Sequence, residues 1–404
     1  MYLKLCKLFV SIFLLYNTWY SQIWEANQLI LYVSVGLSAV FMLLDATFVL
    51  KRFEIGRVNP IVKMYVIFGL YVIASGVFVS IDKGEFLASA FTYISFTLIA
   101  FEIWYISFRL ENFSWILNLF YLFALLCALT TIFNGQDYKT EVVVKTMGKN
   151  NNPNTLGVLM VFGIFATIFQ KKAFMKNFIL KYLSILIFLY VILLSGSRKS
   201  LFAGGGLFVF WVIEYFIESR KEKLTLKKLF IVGTIILSIV GIVIYILNVY
   251  VGLSGFERLL LLFKEGGTSI RLELMDMAVQ YWKSSPIFGI GLDQFRILNT
   301  YGYYSHSTYF EILSCTGILG LLLFFIPLIK LLFTSIKKSL GKRGDLYKIR
   351  ICLLMLAVEL FLGIGQIFIY SATHMIILVF IANVIYEEIS TENEIKRSFV
   401  KIKL

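Results

Sequence analysis

The chain has 404 residues, of which 59% are hydrophobic and only 15% charged, with a mean hydropathy of +0.84. A soluble domain carries about a quarter charged residues, so this composition excludes a soluble globular protein. The net charge of +14 has no basic soluble module to sit on, which removes nucleic-acid binding as well.

Twelve apolar runs are predicted as membrane helices, at about 5–21, 28–50, 61–80, 87–108, 114–133, 155–170, 179–196, 200–219, 229–250, 307–329, 350–369 and 373–388. Most reach the roughly 17–25 residues a helix needs to cross a bilayer. They are long and continuous, unlike the short alternating segments of a closed β-barrel. The expected fold is an all-α polytopic membrane protein, a single integral membrane domain over 1–404. The first run, Leu5 to Tyr20, has no small-residue cleavage site and is read as a retained helix. Cys6, Cys127, Cys315 and Cys352 lie far apart with no CxxC pair, so neither zinc nor a disulfide framework is expected.

Between the ninth and tenth runs lies the one long interruption, 251–306, predicted as a large extracytoplasmic loop with amphipathic helices. Orientation follows from the basic residues of alternate connections. With the N-terminus inside, the cytoplasmic segments hold 27 of the 38 Lys and Arg residues and the external segments 11. Both termini are thereby expected in the cytoplasm, where basic loops also meet anionic head groups. Within the long loop, Ile270, Leu274, Met277, Ala278, Tyr281 and Trp282 recur at helical spacing opposite Glu273, Asp276 and Lys283. This pattern predicts a helix lying along the outer membrane surface. Pro286 ends it, and Gly289 and Gly291 turn the chain.

The external basic residues run against the orientation rule and draw the search for a site. Arg198 and Lys199 occupy a very short turn, Arg271 opens the amphipathic stretch, and His306 stands where the loop meets the tenth helix. Guanidinium groups grip phosphate oxygens bidentately and stay charged at any relevant pH. Histidine accepts a proton near neutrality. Such a set suits anchoring a lipid diphosphate and activating a sugar hydroxyl. Position alone leaves other readings open: Arg198 against lipid phosphates, Arg271 in a capping salt bridge, His306 as a hydrogen-bonded interfacial residue. His374, at the outer end of the last helix, is read as structural.

Asp45, Glu102, Glu311 and Glu359 fall inside the spans and are expected to face the bundle interior or water. Glu311, about one turn below His306, is placed to orient the imidazole or bind substrate, and Glu102 and Glu359 to form internal pairs. Buried acids of this kind also fit a proton-coupled transporter. Gly204, Gly205 and Gly206, and the pair Gly317 and Gly320, are read as points of close helix approach. The absence of a Walker motif speaks against ATP-driven transport, and the absence of Asp-x-Asp or His/Cys clusters leaves no expected metal site.

The order of several short motifs then becomes informative: Asn152-Pro153-Asn154 before the sixth run, Ser195-Gly-Ser-Arg198 after the seventh, Arg271 in the loop, Pro286-Ile-Phe-Gly289-Ile-Gly291, and His306 followed by Gly317-Ile-Leu-Gly320. It resembles the O-antigen polymerase and ligase superfamily of membrane glycosyltransferases, most closely over about residues 150–330. The resemblance implies a metal-independent enzyme without a cofactor. Its expected reaction moves glycan from an undecaprenyl-diphosphate-linked oligosaccharide to an acceptor sugar hydroxyl outside the bacterial cytoplasmic membrane. It carries Arg198 and Arg271 over as diphosphate-binding residues and His306 as the catalytic base. Lys199, Asn154 and Glu311 are supporting candidates, and Ser307 stands where many relatives have Asn. The implied role is a polymerase of lipid-linked repeat units for capsular or O-antigen-like surface polysaccharide, with membrane lipids and other polysaccharide-assembly membrane proteins as partners. A ligase acting on another acceptor remains an alternative. So does a flippase or exporter, although that would be expected to show two similar halves, and only one half has the long loop.

Overall fold

The computed structural model describes residues 1–20, 28–50, 58–134, 136–140, 143–147, 153–170, 178–219, 270–341 and 345–402. Helices stand at eleven of the twelve expected spans: α1 (Tyr2–Leu15), α2 (Gln28–Asp45), α3 (Pro60–Val79), α4 (Lys83–Leu110), α5 (Ser114–Asn134), α6 (Pro153–Phe169), α7 (Phe178–Ser195) and α8 (Arg198–Ser219) precede the loop. Within the loop lie α9 (Ile270–Ser284) and the short α10 (Gln294–Leu298), followed by α11 (Thr308–Ser339), α12 (Leu346–Leu362) and α13 (Ala372–Ile402). The ninth expected span, 229–250, and the loop's first part, 251–269, lie outside the described residues. Among the described residues, five helices are long and apolar enough to cross a membrane: Leu29–Leu50, Pro60–Val79, Lys83–Leu110, Ser114–Phe133 and Thr308–Ser339. The chain is a helical membrane protein. One local departure from all-α is a hairpin of β1 (Gln136–Thr140) and β2 (Val143–Met147), paired antiparallel in a segment read as loop.

Helix starts follow local chemistry. Asn59 caps α3, its side chain accepting from Ile61 N at 2.7 Å, with Pro60 as the first helical residue. Asp82 does the same for α4 by accepting from Glu85 N at 3.0 Å. The buried acids have found partners, as an ionisable group away from water requires. Asp45 meets Arg109 Nε at 2.9 Å and Tyr105 Oη at 2.8 Å, Glu102 accepts from Ser38 Oγ at 2.5 Å, and Glu359 meets His374 Nδ1 at 2.7 Å.

The feature that ties the long loop into the helices is a break in α11. At Gly317 (φ 65, ψ −169) the backbone leaves helical geometry. In an unbroken helix Ile318 N and Leu319 N would donate to the carbonyls of Ser314 and Cys315. Here the segment after α9 takes both sides of that ladder. Ile290 N donates to Ser314 O at 3.0 Å and Gly291 N to Cys315 O at 2.9 Å. In return Ile318 N donates to Pro286 O at 2.9 Å and Leu319 N to Ile287 O at 3.4 Å. Two glycines make the approach feasible: a Cβ on Gly289 (φ 71) would collide with the Cys315 backbone, and one on Gly317 with Ile287 O. Gly317 is therefore a splice point for the loop, and its expected role in helix–helix approach is corrected accordingly.

Three further expectations change. The apolar face of α9 does not lie bare along a membrane surface: Leu274 and Ala278 are fully buried in a small core with Ile290, Phe295 and Cys315. The splice brings those partners beneath the helix. The eleventh span, expected to run to 369, ends at Leu362, because Gly363 to Gln366 form a turn before a short 3-10 helix, Phe368–Tyr370. Of the three glycines in α8, only Gly204 sits against a neighbour, with Ile192 and Ile164 where its Cβ would be; Gly205 and Gly206 have nothing within 4 Å.

This geometry sets a stability test. Gly289→Ala combines a positive φ with a backbone collision, and should cost at least about 2 kcal/mol. Gly205→Ala fills open space on a helix and should be neutral or stabilising by up to about 1 kcal/mol. Denaturant unfolding of the two purified variants in detergent checks this, and equal stability would refute the splice.

Candidate functional site

Four pieces of chain converge on two cavities: the α7–α8 turn, the start of α9, the segment leading into α11, and the turn that follows α12. The α7–α8 turn is stiffened by its own serines. Gly196 takes φ 61, Ser195 Oγ donates to Ile192 O at 2.7 Å, Ser197 N donates to Ser195 Oγ at 3.2 Å, and the Ser197 and Ser200 hydroxyls meet at 2.9 Å. Gly157 of α6 admits Ser200, whose Oγ lies 2.7 Å from where a Cβ would be. Lys199 runs across to the α12–α13 connection, where its ammonium lies against Gly365; any Cβ there would overlap it.

Two cavities adjoin at this convergence. One, of about 400 Å³, is lined by Arg198, Lys199, Arg271, Asn154, Gly196, Ser197, Gly365 and Gln366. The other, of about 380 Å³, has Arg271, His306, Tyr304, His374, Asn17, Thr18, Thr155 and Tyr370 in its walls. Asn154, Arg271, Gly365 and Gln366 border both. No carboxylate lines either cavity among the described residues, and none forms an ion pair with Arg198, Lys199 or Arg271. Arg296, on the same side of the molecule, shows the contrast: Asp293 at 2.9 Å and Glu85 at 3.2 Å neutralise it. Three cations around one cavity, with no carboxylate partner among the described residues, favour an anion by Coulomb's law.

His306 borders the second cavity with a backbone φ of 56, in the left-handed region. Its neighbours hold that conformation. Ser305 N donates to Glu311 Oε2 at 2.8 Å, Ser305 Oγ to Ser307 O at 3.0 Å, and Thr308 N to Gly363 O at 2.8 Å. Neither ring nitrogen of His306 has a hydrogen-bond partner among the described residues. Burial first, then the positive charges of Arg271 and Lys199, hold its pKa below the ordinary 6.5. The imidazole is neutral at pH 7, with a lone pair available to accept a proton.

The structure thus brings together Arg198, Lys199, Arg271, Asn154 and His306. Glu311 stands apart: it is fully buried behind the loop, bonded to the Ser305 backbone, and lines neither cavity. Sequence reading missed Gly365 and Gln366, and it set His374 aside although His374 lines the second cavity. The available signal was the Gly363-Ile-Gly365-Gln366 interruption of an apolar run.

Residues 183–325, a little over a third of the chain, match the family model described as O-Antigen ligase. The match supports the O-antigen polymerase and ligase superfamily. Arg198, Lys199, Arg271, His306, Glu311 and the Gly317 break all fall inside the matched stretch, while Asn154, Gln366 and His374 lie outside it. No curated protein matches the chain.

Proposed function

We propose that the protein is a membrane glycosyltransferase that extends a surface polysaccharide by transferring lipid-linked glycan to an acceptor sugar hydroxyl. The observation that carries this reading is the set of three cations without carboxylate partners among the described residues, beside a histidine whose pKa burial lowers. Arg198, Lys199 and Arg271 hold the diphosphate of an undecaprenyl-diphosphate donor, and Asn154 adds an amide at the boundary. His306 accepts the proton of the acceptor hydroxyl as its oxygen bonds to the anomeric carbon. The bond from that carbon to the diphosphate oxygen breaks, and its electron pair leaves with the lipid diphosphate, whose charge the cations neutralise. The site lies on the extracytoplasmic side of the bacterial plasma membrane, with both termini cytoplasmic and the polyprenyl chain among the helices.

Reconstitution with a defined lipid-linked oligosaccharide tests the proposal: longer chains on the lipid carrier are expected, and their absence would overturn it. The family description favours one second reading, a ligase. A ligase would release chains from the carrier only when a separate acceptor is supplied.

Sidedness has its own test. Cysteines at Lys145 and Lys283 should react with impermeant reagents from outside, and cysteines at Lys223 and Lys342 should not. Protection of Lys283→Cys in intact cells would put the cavities on the cytoplasmic side and refute this orientation.

A further inference from the structure

Gln366 sits where the two cavities meet, in a turn that α11 holds fast. Thr308 Oγ1 donates to Gln366 O at 2.6 Å and accepts from Phe368 N at 3.1 Å. The side chain is fixed from the other end. Gln366 Oε1 is 2.6 Å from His374 Nε2, and His374 Nδ1 is 2.7 Å from Glu359 Oε2. Glu359 is 0% and His374 3% exposed. The imidazole stacks on Phe368 at 4.6 Å and meets Phe162 edge-on at 5.3 Å.

Hydrogen-bond logic then sets the direction of the amide. Gln366 Oε1 only accepts, so His374 Nε2 carries hydrogen and donates to it. A single proton lies between Nδ1 and the Glu359 carboxylate. The Gln366 NH₂ group is thereby turned away from His374, and it has no hydrogen-bond partner among the described residues. Two amide N–H donors are presented in a fixed orientation at the cavity boundary.

The walls on the two sides differ in chemistry. One chamber holds the three cations. The other keeps only Arg271 of these three and adds hydroxyls, an amide and aromatic rings, with Asn17, Thr155, Tyr304 and Ser371 among its walls. Neutral amides and hydroxyls match sugar hydroxyls, as cations match phosphate. We propose that the second chamber is a carbohydrate subsite, in which Gln366 donates to a hydroxyl of the first sugar of the lipid-linked donor. His374 and Glu359 are positioning residues that hold the amide in register. This assignment rests on the transfer reading above for its ligand class.

Binding, independent of turnover, tests it. The probes are a polyprenyl diphosphate carrying one N-acetylglucosamine and the same lipid without sugar, titrated against the full-length protein in detergent; the readout is the ratio of the two affinities. Wild type is expected to favour the sugar-bearing lipid, and Gln366→Met to lose about tenfold of that preference while binding the sugar-free lipid unchanged. Gln366→Glu keeps the shape and the bond to His374 but removes both donors, so it should lower the ratio too and serves if the Met variant does not fold. His374→Phe retains the ring packing and should lower the ratio by the same factor, with no further loss on adding Gln366→Met. Additive losses would overturn the positioning role. An unchanged ratio in both Gln366 variants, or equal weakening toward both lipids, would overturn the sugar contact. A wild type that binds the glycolipid with this preference but extends no chain would leave the subsite standing and refute the transfer reading instead.

Discussion

His306→Gln should reduce chain extension by about 10²–10⁴-fold, the usual worth of a general base. Glutamine keeps a hydrogen-bonding group of similar reach and lacks the basic nitrogen, so it separates proton acceptance from positioning. In cells the variant should accumulate unextended lipid-linked repeats at normal protein level. The pH profile carries a second signature. Burial and the charges of Arg271 and Lys199 depress the imidazole pKa, so the base holds its free lone pair to lower pH than an ordinary histidine. The acid limb of kcat/KM is therefore expected below the ordinary histidine value, and the rate should fall only as pH drops through that depressed pKa. Wild-type extension by His306→Gln would assign His306 to positioning alone.

Arg271→Ala should cost about 2–4 kcal/mol in kcat/KM, as loss of a donor to a developing anion does. Arg271 is chosen over Arg198 because it borders both cavities. Its removal also deletes one of the two cations that depress His306, so the acid limb should move to higher pH as the activity falls. Arg271→Lys keeps the charge and loses the bidentate fork. It should lower turnover with the limb left in place. Lys283→Ala, on the same helix but outside both cavities, supplies the control for a general charge effect. Full activity of Arg271→Ala would return that arginine to lipid contact.

What the sequence made legible was what local pattern determines. Long apolar runs located eleven helices, and cations in a short turn and in the long loop pointed to Arg198, Lys199 and Arg271, which the fold brings to one cavity. His306 stood out as an ionisable residue at a helix entrance. The splice escaped because hydrogen bonds between Pro286–Gly291 and Ser314–Leu319 are non-local: the glycines are visible, but their partners are not. Gly317 and Gly320 looked like any small residues in a membrane helix. Gln366 and His374 escaped for a related reason. Gly363 and Gly365 fall inside the apolar run 350–369, and only the folded turn shows that Lys199 occupies the space a side chain at 365 would fill. Glu311 was placed near His306 correctly by spacing, but its direction, toward the Ser305 backbone, depends on how the loop folds back.

The shared ladder at Gly317 also bears on how a bulky lipid reaches the cavities. Withdrawing the Pro286–Gly291 segment would break four backbone hydrogen bonds in one movement and strand four groups of α11, at about 1–3 kcal/mol each. The two glycines have no slack that would let the segment slide and re-pair one residue along. The chain that follows α9 is thus held fast against α11. On the proposed transfer, carrier and growing chain would then enter elsewhere than past this segment, which stays put while ligands come and go.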